Sequence, residues 1–317
     1  MVRSVEHTAR FSDRTSPPRM ILPSVPQSGL LPDLGGVSVQ SLGSGSSGNA
    51  FLIQTSDSLL LLDCGVGIRT IDRALRDRRL LIQNLDAVVI THEHSDHIRS
   101  LSCVIGQDVP IVATAGTRRR ANIPPPQWEQ ITFDRPVTFG STTVWAIMVK
   151  HDAKEPCGYL IETPEARISI FTDLGSWHDR LVAPIRASDL VVLESNHDLD
   201  MLWTGPYPAY LKHRVASEVG HLSNIECANS LASTLRFGAM RPTIWLAHLS
   251  QTNNAPDLAE RVTRDALNEI GLSLNVTSLP RRAPGPIWTT HAARDTANWS
   301  PNPTLPGLTQ LSLEAPH

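Results

Sequence analysis

Between positions 91 and 97 the chain reads Thr91-His92-Glu93-His94-Ser95-Asp96-His97, which sets three histidines and an aspartate at the spacing HxHxDH. Imidazole nitrogens and carboxylate oxygens together suit zinc, manganese or iron(II), and a loop backbone is free to aim four such side chains in different directions. The preceding Asp86-Ala87-Val88-Val89-Ile90 is apolar and β-branched. It reads as a buried strand that delivers the cluster to its C-terminal end. A polar, solvated turn is the plain alternative, but the same chain supplies matching partners elsewhere.

Those partners are His151, Asp173, Glu194 and His248, each just past an apolar run of the second half, and Asp63 past a run of the first half. Ligands that follow strand ends from both halves converge only if two sheets face each other with their C-terminal edges on one rim. Two divalent ions about 3.5–4 Å apart need some seven or eight ligand atoms. The inventory assigns His92, His94 and His151 to one ion, Asp96, His97 and His248 to the other, and Asp173 to both as a bridge. Asp63 is expected to accept hydrogen bonds that hold the loop and the histidine tautomers.

The elements that would position these groups belong to an α/β layered fold. Strands are expected at 37–42, 50–54 and 59–62, at 86–90 and 111–113, and at 144–149, 158–161, 168–171, 190–193, 243–247 and 272–276. Helices are expected over 68–79, 98–105, near Thr117, and over 179–186, 207–215, 224–237 and 257–270. Residues 1–36, rich in Ser, Pro and Gly, read as a flexible arm, and 280–317, with seven prolines, as a flexible tail. Residues 37–279 then form one catalytic domain.

With 317 residues the chain can bury a sizeable core, and its net charge of −3 is not that of a polyanion-binding protein as a whole. Any nucleic-acid contact must be a local patch. The four cysteines, Cys64, Cys103, Cys157 and Cys227, form no CxxC pair and read as small buried hydrophobes in a reducing compartment. The sequence shows no secretory h-region and no 18-residue apolar run, so a cytoplasmic location without membrane attachment is expected. The oligomeric state is left open.

The strand and loop at 88–97, with Leu62-Asp63-Cys64-Gly65, resemble the metallo-β-lactamase superfamily, which implies a four-layer αββα sandwich with a dinuclear site at its edge. The segments 43–49, 91–99, 151–153, 172–175, 193–198, 205–208, 220–224 and 247–250 are similar to those of the YycJ/WalJ group within it. The resemblance covers about 37–276 and implies a metal-dependent exonuclease acting 5′ to 3′ on DNA, with two divalent ions, zinc first and manganese second. The group is also similar to ribonuclease Z enzymes, in which a histidine of a Gly-His-Ser-Thr segment assists the chemistry. Here Gly220-His221-Leu222-Ser223 stands in the matching place. That makes His221 the acid beside Asp96 in the catalytic pair, with Glu194 and His197 in support. An ordinary histidine ahead of a helix is the other reading of His221. No long insertion between Asp173 and His248 matches the extra domain of β-CASP nucleases, which favours DNA over structured RNA.

The mechanism implied is phosphodiester hydrolysis by a metal-bridging hydroxide. HxHxDH alone fixes hydrolysis and leaves the substrate open. A small ester, thioester or cyclic phosphodiester is the alternative, and a catalytically silent metal-binding regulatory protein is the alternative of another class. For substrate, Tyr207, Lys212 and Arg214 lie in a segment that mixes aromatic with basic residues and suits bases and phosphates; a helix stacked on the core is the competing reading. Ser44, Ser46, Ser47 and Asn49 in the Gly/Ser loop could line the mouth or make a hairpin turn. Arg118, Arg119 and Arg120 form a candidate DNA-tracking patch or a solvated face.

Overall fold

Short runs of Val, Ile, Leu and Phe give this chain strands whose two faces are both apolar, so each sheet is covered on both sides. The computed structural model describes residues 36–290. The first half forms β1 (Ser38–Gly43), β2 (Ala50–Gln54), β3 (Leu59–Leu62), α1 (Ile68–Arg76), β4 (Ala87–Val89), α2 (Ser95–Ile98), α3 (Leu101–Val104), β5 (Ile111–Ala113), α4 (Ala115–Ala121) and β6 (Trp128–Gln130). The second half forms β7 (Val137–Phe139), β8 (Thr142–Met148), β9 (Cys157–Glu162), β10 (Arg167–Phe171), α5 (Val182–Ala187), β11 (Leu190–Glu194), α6 (Leu199–Thr204), α7 (Ala209–Val215), α8 (Asn224–Leu235), β12 (Thr243–Ala247), α9 (Pro256–Glu269), β13 (Val276–Ser278) and β14 (Ile287–Thr289).

The strands make two seven-stranded sheets, ordered β14-β1-β2-β3-β4-β5-β6 and β13-β12-β11-β10-β9-β8-β7. Within β3, Leu60 and Leu62 face the second sheet, where Tyr159, Ile168, Ile170 and Val192 join them. Leu59 and Leu61 turn the other way, onto Ile71 and Leu75 of α1. In the second sheet Phe171 and Leu193 pack outward on Leu231 of α8 and Leu267 of α9. This alternation produces the expected helix-sheet-sheet-helix sandwich. Strands β3–β6 and β10–β13 run parallel within their sheets, so their C-terminal ends share an edge.

Several elements depart from expectation. The helix expected over 98–105 is two single turns, α2 and α3, and α2 begins inside the histidine loop so that Asp96 and His97 sit on its first turn. The last strand of the second sheet lies at β13, later than the expected 272–276. The domain boundary expected after residue 279 falls too early, because β14 pairs with the outer edge of β1. Only Trp288 of that strand packs on the inter-sheet core, so the pairing rests on backbone and left no hydrophobic period to read. The expected arm, apart from Gly36, and the tail from residue 291 lie outside the described residues. Cys64, Cys157 and Cys227 are buried as expected, whereas Cys103 is exposed, because α3 buries Leu101 and Val104 instead.

Candidate metal centre

The shared edge gathers the ligand-type side chains that the sequence scattered. Strand β3 ends at Asp63, β4 leads into Thr91 and the histidine loop, β8 into His151, β10 into Asp173, and β12 into His248, while Glu194 closes β11. Asp63 and His248 both adopt left-handed backbone, with φ of 56° and 54°. Asp and His are among the non-glycine residues that tolerate this region, and the turn lets each chain leave its strand sharply at the rim.

Two donor sets emerge. His92 Nε2 and His151 Nε2 stand 3.1 and 3.2 Å from His94 Nδ1. Around a cation with metal–nitrogen bonds of about 2.0–2.1 Å, tetrahedral ligands stand about 3.3–3.4 Å apart, close to both of these separations. Next to it, Asp96 Oδ2 lies 3.3 Å from His248 Nε2 and 3.8 Å from His97 Nε2. Asp173 stands between the sets, with Oδ2 2.9 Å from His97 Nε2 and Oδ1 3.7 Å from His151 Nε2. The four groupings His92–His94–His151, His92–His97–Asp173, Asp96–His97–His248 and Asp173–Glu194–His221–His248 each keep their donor atoms within 4.8 Å of one another.

Five of the six histidines have their outward nitrogen hydrogen-bonded, which sets the tautomer. His97 Nδ1 is 2.7 Å from Asp63 Oδ2, and Asp63 Oδ1 also accepts the Thr91 N–H at 2.9 Å. His248 Nδ1 and His221 Nδ1 both meet Glu194 Oε1, at 2.8 and 2.7 Å. His151 Nδ1 faces the Gly220 carbonyl at 3.0 Å, and His92 Nδ1 the Thr91 hydroxyl at 3.1 Å. His94 is reversed, its Nε2 lying 3.6 Å from Asp152 Oδ1. His92 and His151, protonated on Nδ1, both turn an Nε2 lone pair toward His94 Nδ1, where a single proton serves only one of them and a cation would take all three. Asp173 Oδ2 is likewise buried, with His97 Nε2 beside it. The donor set fits a divalent metal. In the fourth grouping Glu194 already binds both histidine Nδ1 atoms, so that group is a hydrogen-bond network.

The electrostatics agree. Burial, reinforced by His97, holds His92 well below the ordinary imidazole value, and burial lowers His151 as well. Both are neutral and ligand-ready at pH 7. Burial opposes the charge of His97 and His248, yet Asp173 and the other flanking carboxylates raise both well above it. Asp96 is held at about 2, its burial outweighed by His248 and His97.

A family model described as a β-lactamase superfamily domain matches residues 59–243. The chain belongs to this superfamily. It is 33% identical over 245 residues to exodeoxyribonuclease YycJ of Bacillus anthracis, an alignment covering 75% of this chain and 92% of that protein. Exodeoxyribonuclease WalJ of Streptococcus pneumoniae serotype 2 is 32% identical over 243 residues, covering 74% and 90%. Among solved structures, the metallo-β-lactamase fold protein YhfI from Bacillus subtilis has a TM-score of 0.60 at 19% identity, covering 80% of this chain and 100% of that one. That likeness shows the fold.

The metallo-β-lactamase fold also decides which expected substrate residues face outward. An open cleft lies over His221, bordered by Ser46, Asp152, Asn196, Tyr207 and Arg214. Arg214 donates through Nε and Nη2 to Asp152 Oδ2, at 2.9 and 2.6 Å. Ser44 and Asn49, expected at the mouth, are instead fully buried. The Ser44 hydroxyl accepts the His248 N–H at 2.9 Å, and Asn49 Nδ2 lies 3.1 Å from His97 Nε2, so each contacts a candidate ligand. Ser47 gives its hydroxyl to the Arg281 carbonyl and borders a different cleft. Lys212 ties α7 to α6 through the Trp203 carbonyl at 2.7 Å and does not border the His221 cleft. His197 is buried, its Nδ1 has no hydrogen-bond partner among the described residues, and it makes no side-chain bond to Glu194 or His221; of the two expected supporting residues only Glu194 touches His221.

Sequence reasoning missed Thr91, Asp152, Asn196 and Gly65. Thr91 and Asp152 adjoin ligands, and that adjacency was the available signal. Asn196 Nδ2 donates to the His248 carbonyl at 2.8 Å. A Cβ on Gly65 would overlap the Asp96 carbonyl, so only glycine lets β3 reach the back of the histidine loop.

Proposed function

We propose that this protein is a metal-dependent phosphodiesterase that digests DNA from an end, 5′ to 3′, with two divalent ions, zinc as the resident metal and manganese as the alternative. His92, His94 and His151 would hold one ion and Asp96, His97 and His248 the other, with Asp173 placed between the two donor sets. The observation that carries this reading is the pair of adjacent nitrogen-rich donor sets sharing Asp173, beneath a cleft bordered by His221, Tyr207 and Arg214. The names of the two exodeoxyribonuclease relatives support DNA as substrate.

Bound there, divalent cations supply a hydroxide nucleophile at neutral pH and positive charge for the phosphoryl oxygens. The chain's own groups do the rest. Glu194 fixes the His221 proton on Nδ1 and stabilises a charged ring, which leaves Nε2 to protonate the leaving oxygen. Asp96 orients the nucleophile, since His248 and His97 keep it ionised. Tyr207 offers an aromatic face at the cleft, and Arg214 a guanidinium that can move from Asp152 to a phosphate.

The test is metal analysis of the purified protein, followed by rates on bis(p-nitrophenyl) phosphate, on 5′-labelled single- and double-stranded DNA and RNA, and on a thioester. Cleavage of labelled DNA, lost in Asp96→Ala without loss of fold, supports the proposal. A fully metallated protein that cuts the thioester and no phosphodiester would refute it.

A further inference from the structure

Three arginines that the catalytic reading does not use meet beside the Gly/Ser loop. Arg99, Arg281 and Arg282 line a second cleft together with Ser47, Gly67 and Thr70. The neighbouring serines divide the two clefts: Ser46 borders the one over His221 and Ser47 borders this one. No carboxylate among the described residues lines it. Among the described residues none of the three arginines makes an ion pair. Their partners are neutral: Arg99 donates to the Ser47 carbonyl, Arg281 to the carbonyls of Leu249 and Ser250, and Arg282 to Gln251 Oε1.

Like charges gathered without a counter-charge repel, and burial together with Arg282 lowers the Arg281 guanidinium from its ordinary value. An anion would relieve that cost. The cleft is also tied to the metal centre from two sides. Arg99 directly follows α2, which carries Asp96 and His97, while Arg281 grips the segment just after His248. The chain as a whole has a net charge of −3, so polyanion binding requires a local concentration of cations such as this one.

We infer that the cleft lined by Arg99, Arg281 and Arg282 is a second binding site, which holds backbone phosphates of a polynucleotide whose scissile bond lies at the metal centre. It rests on the phosphodiesterase reading above. Guanidinium forks suit phosphate oxygens and carry no base preference, so the site gives affinity and processive hold without sequence specificity.

The test uses the double variant R99Q/R282Q and leaves Arg281 in place, because Arg281 supports the loop after His248. Binding of the metal-loaded protein to a fluorescent phosphorothioate oligothymidine of twenty nucleotides is measured against salt concentration. The slope of log affinity against log salt is expected to fall by about 1.4, two phosphate contacts at about 0.7 each for a single strand. Affinity at low salt should fall about tenfold, and KM on labelled DNA should rise accordingly. Hydrolysis of bis(p-nitrophenyl) phosphate, which reaches only the metal centre, should stay within twofold of wild type. R99K/R282K should restore most of the slope.

If the double variant melts early, R282Q alone, on an exposed residue held only by Gln251, is expected to lose about half that slope. An unchanged slope overturns the inference, and so does an equal loss in R236Q/R241Q, two exposed arginines at and beyond the C-terminal end of α8, which would mark a general field effect. Displacement of the oligonucleotide by millimolar inorganic phosphate, equally in wild type and variant, would also overturn it. A metallated wild type that cuts no phosphodiester refutes the catalytic reading instead, and the salt slope separates the two failures.

Discussion

Glu194 is the group on which the centre's proton positions depend, and Glu194→Gln isolates that role because it changes one atom and no volume. The carboxylate meets four donors: His221 Nδ1 and His248 Nδ1 at Oε1, and the N–H groups of Leu174 and Leu222 at Oε2, at 2.8 and 3.1 Å. A glutamine with its oxygen toward the histidines would turn its NH₂ onto two buried backbone donors, at a cost of about 1–3 kcal/mol each. The opposite orientation is therefore adopted. Its oxygen accepts both backbone N–H groups, and its NH₂ donates to both Nδ1 atoms, which forces the ring protons onto Nε2. That is the nitrogen His248 presents toward Asp96.

The fold should then lose only the difference between charge-assisted and neutral hydrogen bonds, roughly 2 kcal/mol over the two rings. Metal affinity should fall about 10–100-fold, as for removal of an outer partner of a ligand histidine. At saturating metal, kcat should drop about a hundredfold, because His221 loses the counter-charge of its acid form. Chelator competition measures the affinity, bis(p-nitrophenyl) phosphate the rate, and thermal melting the fold. Affinity and rate both within twofold of wild type would refute the claim that this carboxylate sets the tautomers.

Three further outcomes follow from the same geometry. His221→Ala should keep its full metal content and slow hydrolysis about a hundredfold or more, and loss of metal in that variant would make His221 a ligand. Gly65→Ala should push the Asp96 carbonyl away and lower both metal content and melting temperature; a variant with normal metal stoichiometry would show that the histidine loop does not need this close approach. With His97 and His248 raised well above the ordinary imidazole value, the metal-free protein holds protons that a metal must displace at pH 7. Apparent metal affinity should therefore fall as pH falls, with proton release detectable by calorimetry in buffers of different ionisation enthalpy. Zero release would contradict it. In metal-free protein these two histidines stabilise the fold fully below the ordinary imidazole value, and that contribution is lost as pH rises through their raised values. Asp96, Asp173 and Glu194 are depressed, so their contribution is present above the ordinary carboxylate value and fades as pH falls toward about 2, where Asp96 titrates.

The identity of the ligand-type residues was legible from the chain alone. HxHxDH at 92–97 and the ligands placed just past apolar runs are local patterns, and strands deliver their C-terminal residues to a rim whatever packs behind them. Most strands were legible for the same reason, since an apolar run of four or five residues is a property of neighbours in sequence. Strand β14, the split of the expected 98–105 helix into α2 and α3, and the burial of Ser44 and Asn49 were not. Each depends on contacts between residues far apart in the chain, such as Ser38 with Thr289, or Ser44 with His248. Tautomers were likewise beyond the sequence, because the nitrogen a histidine offers is set by whatever touches its other side, and Asp63, Glu194 and Gly220 arrive there only on folding. The amino-acid sequence determined which atoms could bind metal; the tertiary structure decided which way they face, because direction comes from packing against partners that sequence distance does not encode.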